Sequence, residues 1–442
     1  MRPRPTLPTW WRFTLHLNAP AWIGGARARL VDEDLPLRTA SVRGALRHWL
    51  RLALGEVLGG GDGDRAVALG TLRELETVMF GAVGRGAPEG ARVLLKPPVG
   101  GRVKKVTRQD EPKLGTGRRY MSYGVFDGNK RPEVVTGLTA DDAHPVHLVV
   151  GLHVRSGDSG PQREALRRAL GAVLWLWGSF GGLGGRSRRG WGGVELLPVG
   201  AQSEEWPKEW AGLFSTERPV SRVASLNALF QGLDRAMDNI RIFAKAFGAK
   251  LPARPVSLPE LRTTAGIQTL RAIPVDHPDG EAAIEHAGAM FMGFRGALLR
   301  SQRRLRPLDD YFVVRGAIEH GQLSGPIGRA AFGLPLAYRF RSLNGRGAQI
   351  NPVPPRGVRA PRGARVERMP SGLLFRVVRL ADQDGRKRFY MMLVYLEEGR
   401  PPLGSLALSV KVSDGPVLSA PNPGDKVVMD FLNLAVKREG AQ

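Results

Sequence analysis

The chain has 442 residues, enough for two or three domains with separate cores, and its 42% apolar content fits a globular protein rather than a disordered one. With 65 basic against 41 acidic side chains its formal net charge is +24, and self-repulsion of that size points to a polyanionic partner, nucleic acid first. The absence of cysteine excludes disulfides, thiolate catalysis and Cys-ligated zinc, and without a long apolar run or leader a cytoplasmic protein with no membrane partner is expected.

Alternation over Trp11–Leu17 predicts the first strand, with Phe13, Leu15 and Leu17 on one face and Arg12, Thr14 and His16 on the other. A helix is expected over Thr39–Leu54, its apolar face made by Val42, Leu46, Trp49, Leu50 and Ala53. Arg43, Arg47 and Arg51 recur every four residues along its flank. A stripe of like charges weakens a helix, so an anionic partner explains it better than solvent. A second helix is expected near Val67–Phe80. Residues 101–131 read as a basic loop, nine Lys or Arg against three acids, with Tyr120, Tyr123 and Phe126 interleaved. That mixture suits stacking on single-stranded bases, and an ordinary exposed loop has the same composition.

Val146–Val154 reads as a strand and Arg163–Gly178 as a strongly apolar helix. The most informative segment follows: Gly178-Ser-Phe-Gly-Gly-Leu-Gly-Gly-Arg-Ser-Arg-Arg-Gly-Trp-Gly192. Its glycines allow close backbone approach, and Arg186, Arg188 and Arg189 stand in the same turn with no acid beside them. Clustered backbone N–H groups and guanidinium forks make a cradle for phosphate oxygens. A short strand at Val194–Leu197 comes next. Strand, helix, strand, strand, helix, strand is the ferredoxin-like order. The spacing comes close to a dinucleotide fingerprint, but that motif runs strand, loop, helix, and here the order is helix, loop, strand.

Residues 204–219, rich in Trp, Pro and acids, are expected to link a first domain, 1–203, to a second, 220–442. The second opens with a helical region, Val220–Phe247, and an apolar helix carrying Met290, Phe291, Phe294, Leu298 and Leu299. Strands are expected at Leu373–Leu380, Phe389–Leu396 and Leu406–Val412, and a final helix near Lys426–Val436. Tyr338–Arg368 holds eight arginines and one acid, Glu367, and its Pro and Gly content predicts a loop that orders on binding.

Catalytic chemistry is hard to find. His16 and His48 are the residues available to a metal-independent ribonuclease, but nothing in the sequence sets either beside a scissile phosphate. His144, His147 and His153 with Asp141 and Asp142 make only a weak case for a metal. Asp309 and Asp310 read as a helix cap. No catalytic residue, metal or cofactor is therefore assigned.

Gly181-Gly-Leu-Gly-Gly-Arg-Ser-Arg-Arg-Gly-Trp-Gly192 resembles the Gly-rich loop of RAMP proteins, the RNA-binding subunits of CRISPR effector complexes, in the form found in the first subunit of type III-B (Cmr) complexes. Leu37-Arg-Thr-Ala-Ser-Val-Arg-Gly-Ala-Leu-Arg-His-Trp49 is similar to that subunit's first-helix start, and Phe332-Gly-Leu-Pro-Leu336 to its Gly-Leu-Pro element. Arg368-Met-Pro-Ser-Gly-Leu373 is a poorer match, with Gly372 in place of a proline. The resemblance implies an α+β chain of two tandem ferredoxin-like (RRM-like) domains with helical and loop insertions. It also implies guide RNA, target RNA and other Cmr subunits as partners, and a non-catalytic role.

On that reading Gly182, Gly184, Arg186, Arg188 and Arg189 hold RNA phosphates, and Arg43, Arg47 and His48 line the same groove. Lys104, Lys105, Arg118 and Arg119 extend it, and Arg295, Arg300 and Arg303 contribute from the second half. The rival readings are a metal-independent endoribonuclease that processes guide precursor, and an assembly subunit that touches no RNA.

Overall fold

A computed structural model describes residues 7–25, 27–58, 65–82, 90–126, 132–201, 203–251, 267–295, 310–334, 336–353, 371–381, 386–396, 407–413, 415, 417–420 and 426–437. The first half runs β1 (Thr9–Leu17), α1 (Thr39–Leu58), α2 (Arg65–Phe80), β2 (Val93–Leu95), β3 (Val99–Gly100), β4 (Arg102–Val106), α3 (Gly117–Met121), β5 (Val135–Thr139), β6 (Val146–Leu152), α4 (Gly160–Phe180) and β7 (Val194–Val199). Its sheet has the order β2-β6-β1-β7 with every pair antiparallel, which is the ferredoxin-like arrangement. Register keeps the apolar faces together: Phe13 lies opposite Leu148, and Leu15 opposite both Val146 and Leu196. Residues 102–106 and 135–139 pair as a two-stranded ribbon and 117–121 form a helical turn, so the expected loop over 101–131 is partly regular.

α4 starts at a capping box, Ser159 with Gln162, and is buried all round from Ala169 to Trp177. A helix apolar on every side must be covered on every side. The first sheet and α1 cover part of α4, and α5 (Arg222–Ala246) packs along the rest. Residues 204–219, expected as a linker, are packed too. Trp210 is fully buried, 4.9 Å from the Trp11 ring, and Phe214 lies 5.3 Å from Phe13. α5, expected to open the second domain, therefore shares the core of the first. At Gly232 a Cβ would sit 2.1 Å from the Trp175 ring, so the indole of α4 lies directly on the bare backbone of α5. Gly232→Leu is expected to cost about 1–3 kcal/mol or more through overpacking, read as a fall in melting temperature. An unchanged melting temperature would show that the helices separate there freely.

The second half contains β8 (Ile267–Ala272), α6 (Gly280–Phe294), α7 (Asp310–His320), β9 (Leu336–Arg339), β10 (Gly347–Val353), β11 (Leu373–Leu380), β12 (Arg388–Leu396), β13 (Ala407–Val412), β14 (Val417–Ala420) and α8 (Lys426–Lys437). The antiparallel sheet β11-β12-β8, with α6 and α8 on one face, repeats three strands of the ferredoxin-like unit. Its faces serve different cores. Phe375, Val377, Met391 and Leu393 pack with α6 and α8, whereas Leu374, Leu380, Tyr390 and Met392 pack with α4 and α5. That double burial is why β11 and β12 read as continuous apolar runs.

The remaining strands form a separate sheet, β14-β13-β10-β9, with its own core under α7. Two expectations change here. Within Tyr338–Arg368, residues 347–353 are a strand and not a loop, and 354–368 lie outside the described residues. Asp310 is buried inside the module, accepting bonds from the Arg329 N–H and the Tyr338 hydroxyl, rather than acting as an exposed cap. The chain is thus α+β with two tandem ferredoxin-like units and an inserted small sheet.

Candidate nucleic-acid interface

The Gly/Arg loop leaves α4 at Gly181, whose N–H donates to the Trp177 carbonyl, and returns to β7. Its two limbs pair with each other: Leu183 N–H donates to Gly192 O at 2.9 Å, and Gly182 bridges Gly193. The tip lies on Trp22, where Gly185 N–H donates to the Trp22 carbonyl at 2.7 Å. At Gly184 the backbone has φ +78°, and a Cβ would fall 2.6 Å from that same carbonyl. Glycine is required at that position by both conformation and space. Trp191 is buried against Trp22, 5.2 Å between rings, and fixes the returning limb.

The second half grips the loop from the other side. Arg376 on β11 is buried and points across the seam. Its guanidinium donates to Gly181 O and Gly178 O at 2.8 Å, Ser179 O at 3.1 Å, and Val194 O. Three of these are the orphan carbonyls that the end of α4 leaves without helical partners. Desolvation pushes the Arg376 pKa down to about 10, against the pull of Glu195, so it stays charged at neutral pH. Further along, Phe375 N–H donates to Arg188 O at 3.1 Å, and Arg188 Nη1 returns a bond to Ser371 O at 2.8 Å. Arg189 Nη2 donates to Phe332 O at 3.3 Å, and its guanidinium lies 4.8 Å from the Phe291 ring and 5.7 Å from Phe375.

Two of the motifs that carried the resemblance, at Phe332 and Ser371, therefore meet the Gly/Arg loop directly. The same contacts correct the expectation for Arg189. Its guanidinium is wedged into the seam, where desolvation and the nearby Arg295 lower its pKa to about 9, and it is not presented to a phosphate. Arg188 is half-buried with Nη1 committed, and Gly182 stands in the pairing of the limbs. What the loop exposes is Gly184, Gly185 and Arg186. Arg186 adopts φ +66°, an uncommon conformation for a side-chain-bearing residue, and sits over the Tyr123 ring at 6.0 Å.

Two of the three arginines in the α1 stripe are paired within the fold. Arg47 and Arg51 each place Nε 2.6 Å from the buried Glu76 of α2. Burial pushes the Glu76 carboxyl up, but the two guanidiniums outweigh it and hold it below the usual carboxylate range. Arg43 is half-buried, its Nε enclosed without a hydrogen-bond partner, and His48 is exposed with its ring 5.9 Å from Trp49.

Four of the basic residues of 101–131, Lys104, Lys105, Arg118 and Arg119, are paired as well. Lys104 bonds Glu281, and Arg118 lies 3.2 Å from Glu281 and 3.5 Å from Glu285, both on α6. Glu285 also accepts the Gly117 and Arg118 N–H groups at 2.8 and 2.9 Å. Arg119 pairs with Glu111 at 2.9 Å, and Lys105 with Glu33 at 2.9 Å in an exposed pair. The contacts to Glu281 and Glu285 strap α3 and β4 to the second half, in place of the expected groove lining. Arg295 stacks near Tyr120, Phe291 and Phe332. Arg300 and Arg303 lie outside the described residues.

His16 is buried in an ionic hub: Nε2 is 3.4 Å from Asp142, Nδ1 is 3.7 Å from Glu195, and Arg218 approaches at 3.3 Å. Arg379 joins the same two carboxylates from β11, each at 3.0 Å. Desolvation and Arg218 push the His16 pKa down to about 4. Asp141 accepts the Ala143 and His144 N–H groups, closing a turn. Among the described residues no group of three His, Asp or Glu is placed to hold a metal, and no helix is long and apolar enough to cross a membrane.

Residues 14–195 match the RAMP superfamily model. Among solved structures, Cmr1 from Pyrococcus furiosus in its apo form aligns over 97% of this chain and 97% of its own, with 16% identity and a TM-score of 0.49. A chain of the type III-B Cmr-beta complex bound to cognate target RNA aligns over 97% and 100%, with 9% identity and a TM-score of 0.43. No curated protein matches the sequence.

Proposed function

We propose, on the premise that residues 14–195 form a RAMP superfamily domain, that this chain is an RNA-binding subunit of a type III-B CRISPR effector complex, holding a strand without cutting it. The observation that carries this reading is the loop tip: Gly184, Gly185 and Arg186 stand exposed on a rigid support in a protein of net charge +24. Backbone fixed by Trp22 and an exposed arginine whose guanidinium rests against the Tyr123 turn make the kind of site that receives a phosphate without reorganising. Trp49 of α1 abuts the loop's root at Gly181, which brings neighbouring His48 to the same region. Guide RNA, target RNA and the other subunits of the complex are the partners, and the two RAMP units, 1–203 and 220–442, share a core through the packed segment 204–219 and α5. The role is non-catalytic: His16, one of two histidines considered as a base, is locked among Asp142, Glu195 and Arg218.

Sequencing the RNA that copurifies with the chain tests this. A uniform guide population is expected; absence of RNA favours the assembly role, and histidine-dependent cleavage of repeat RNA favours the nuclease. Arg186→Ala is expected to weaken RNA binding and to reduce the log–log salt slope by roughly one, the signature of one lost phosphate contact. Unchanged affinity and slope would remove Arg186 from the site.

A further inference from the structure

We propose that Tyr123 is a base-stacking platform for single-stranded RNA, working with Arg186 as one nucleotide-sized unit; this rests on the RNA-binding reading and deepens it. Three aromatics are interleaved with the basic residues of 101–131, and the structure separates them. Phe126 is buried against Trp22 at 5.2 Å, and Tyr120 packs on Phe291 at 5.9 Å. Tyr123 alone of the three is 69% exposed.

Its position follows from the turn after α3. Tyr123 N–H donates to the Tyr120 carbonyl at 3.3 Å, and Gly124 continues with φ +86°. A Cβ at Gly124 would lie 2.7 Å from Arg186 Nη2, so the turn is shaped to let that guanidinium rest on it. Arg186 in turn holds a left-handed backbone conformation at the loop tip. Strain of this kind persists where surrounding structure over-determines it and is concentrated at binding sites.

The two segments are fixed independently. α3, which ends in the Tyr123 turn, is tied at its start to α6 through Glu285, and the Arg186 loop is tied to Trp22 and β11. An exposed aromatic ring beside a cation, both on rigid supports, is what grooves for single strands combine: the cation follows the backbone and the ring takes a base by its π-face. Beyond the Arg186 contact, a ring 69% exposed buries little apolar area in the free protein, which accords with a role in binding rather than in folding.

The test uses the full chain and single-stranded RNA carrying 2-aminopurine at successive positions. Wild-type protein is expected to change the fluorescence of one position selectively, through stacking. Tyr123→Ala is expected to lose that signal and weaken binding roughly tenfold, while the salt slope stays unchanged because no phosphate contact is lost. Tyr123→Phe keeps both signal and affinity. Fully duplex RNA, whose bases are already stacked, is expected to bind Tyr123→Ala and wild type alike. If Tyr123→Ala binds the single strand with wild-type affinity and signal, the stacking role is overturned and the RNA-binding reading stands. If wild type binds no RNA, that reading itself fails. A defect of Tyr123→Ala confined to assembly with another protein would reassign the ring to a protein contact and overturn the proposal.

Discussion

Replacing Arg376 by methionine is expected to lower the unfolding free energy by about 3–5 kcal/mol, the scale expected when several buried carbonyls lose a charged donor together. Methionine fills similar volume, so the loss isolates hydrogen bonding from packing. Four carbonyls, of Gly178, Ser179, Gly181 and Val194, lose the guanidinium, and of these Gly181 O keeps the Val194 N–H at 3.3 Å. Each buried acceptor without a donor costs on the order of 1–3 kcal/mol before relaxation. Arg376→Lys is expected to recover only part of the loss, because a compact ammonium cannot reproduce a planar fork that reaches both the end of α4 and the start of β7. Denaturant unfolding of the three proteins measures this. Limited proteolysis within 181–193 should accelerate in the same order as stability falls. A methionine variant as stable as the parent would show that water or backbone movement satisfies the carbonyls.

Acid is expected to destabilise the protein through His16 by up to about 3 kcal/mol between pH 6.5 and 4. The fold keeps this imidazole neutral, with its pKa lowered from 6.5 to about 4. The unfolded chain therefore binds the proton first as pH falls. The contribution is fully present above pH 6.5 and is lost by about pH 4. Asp142 and Asp141 oppose the shift, and Arg218 and Lys387 reinforce the burial that causes it. Glu195 next to it is pushed up by burial and titrates with the opposite sign, so the informative quantity is a difference. His16→Gln is expected to flatten the pH dependence of unfolding free energy over that window relative to wild type. Parallel profiles for the two proteins would rule out His16 as the source.

Much of this was legible in the sequence because it is local. Alternation along β1, the apolar periodicity of α1 and α4, and the glycine spacing of the loop are set by neighbours a few residues apart. Partners were not legible, because they come from far along the chain. The arginine stripe on α1 looks unbalanced until Glu76 arrives on α2, and Arg118 looks solvated until α6 brings Glu281 and Glu285. Arg189 is indistinguishable from Arg186 by residue type, yet one is stacked in a seam and the other is exposed. One signal went unread: β11 reads Leu-Leu-Phe-Arg-Val-Val-Arg-Leu, two arginines in a strand otherwise apolar on both faces. Arginine in such a run must find buried acceptors or carboxylates, and Arg376 and Arg379 do.

The grip of Arg376 on α4 also imposes an order on the protein's synthesis. The guanidinium follows Gly178 by 198 residues. At translation rates of roughly 5–20 residues per second, the first half leaves the ribosome and waits about 10–40 s for the residue that completes it. During that interval the Gly/Arg loop has its Trp22 contact but no fork beneath it. A ribosome-bound chain halted before residue 371 should therefore be cut readily at 181–193, and one released after α8 should not.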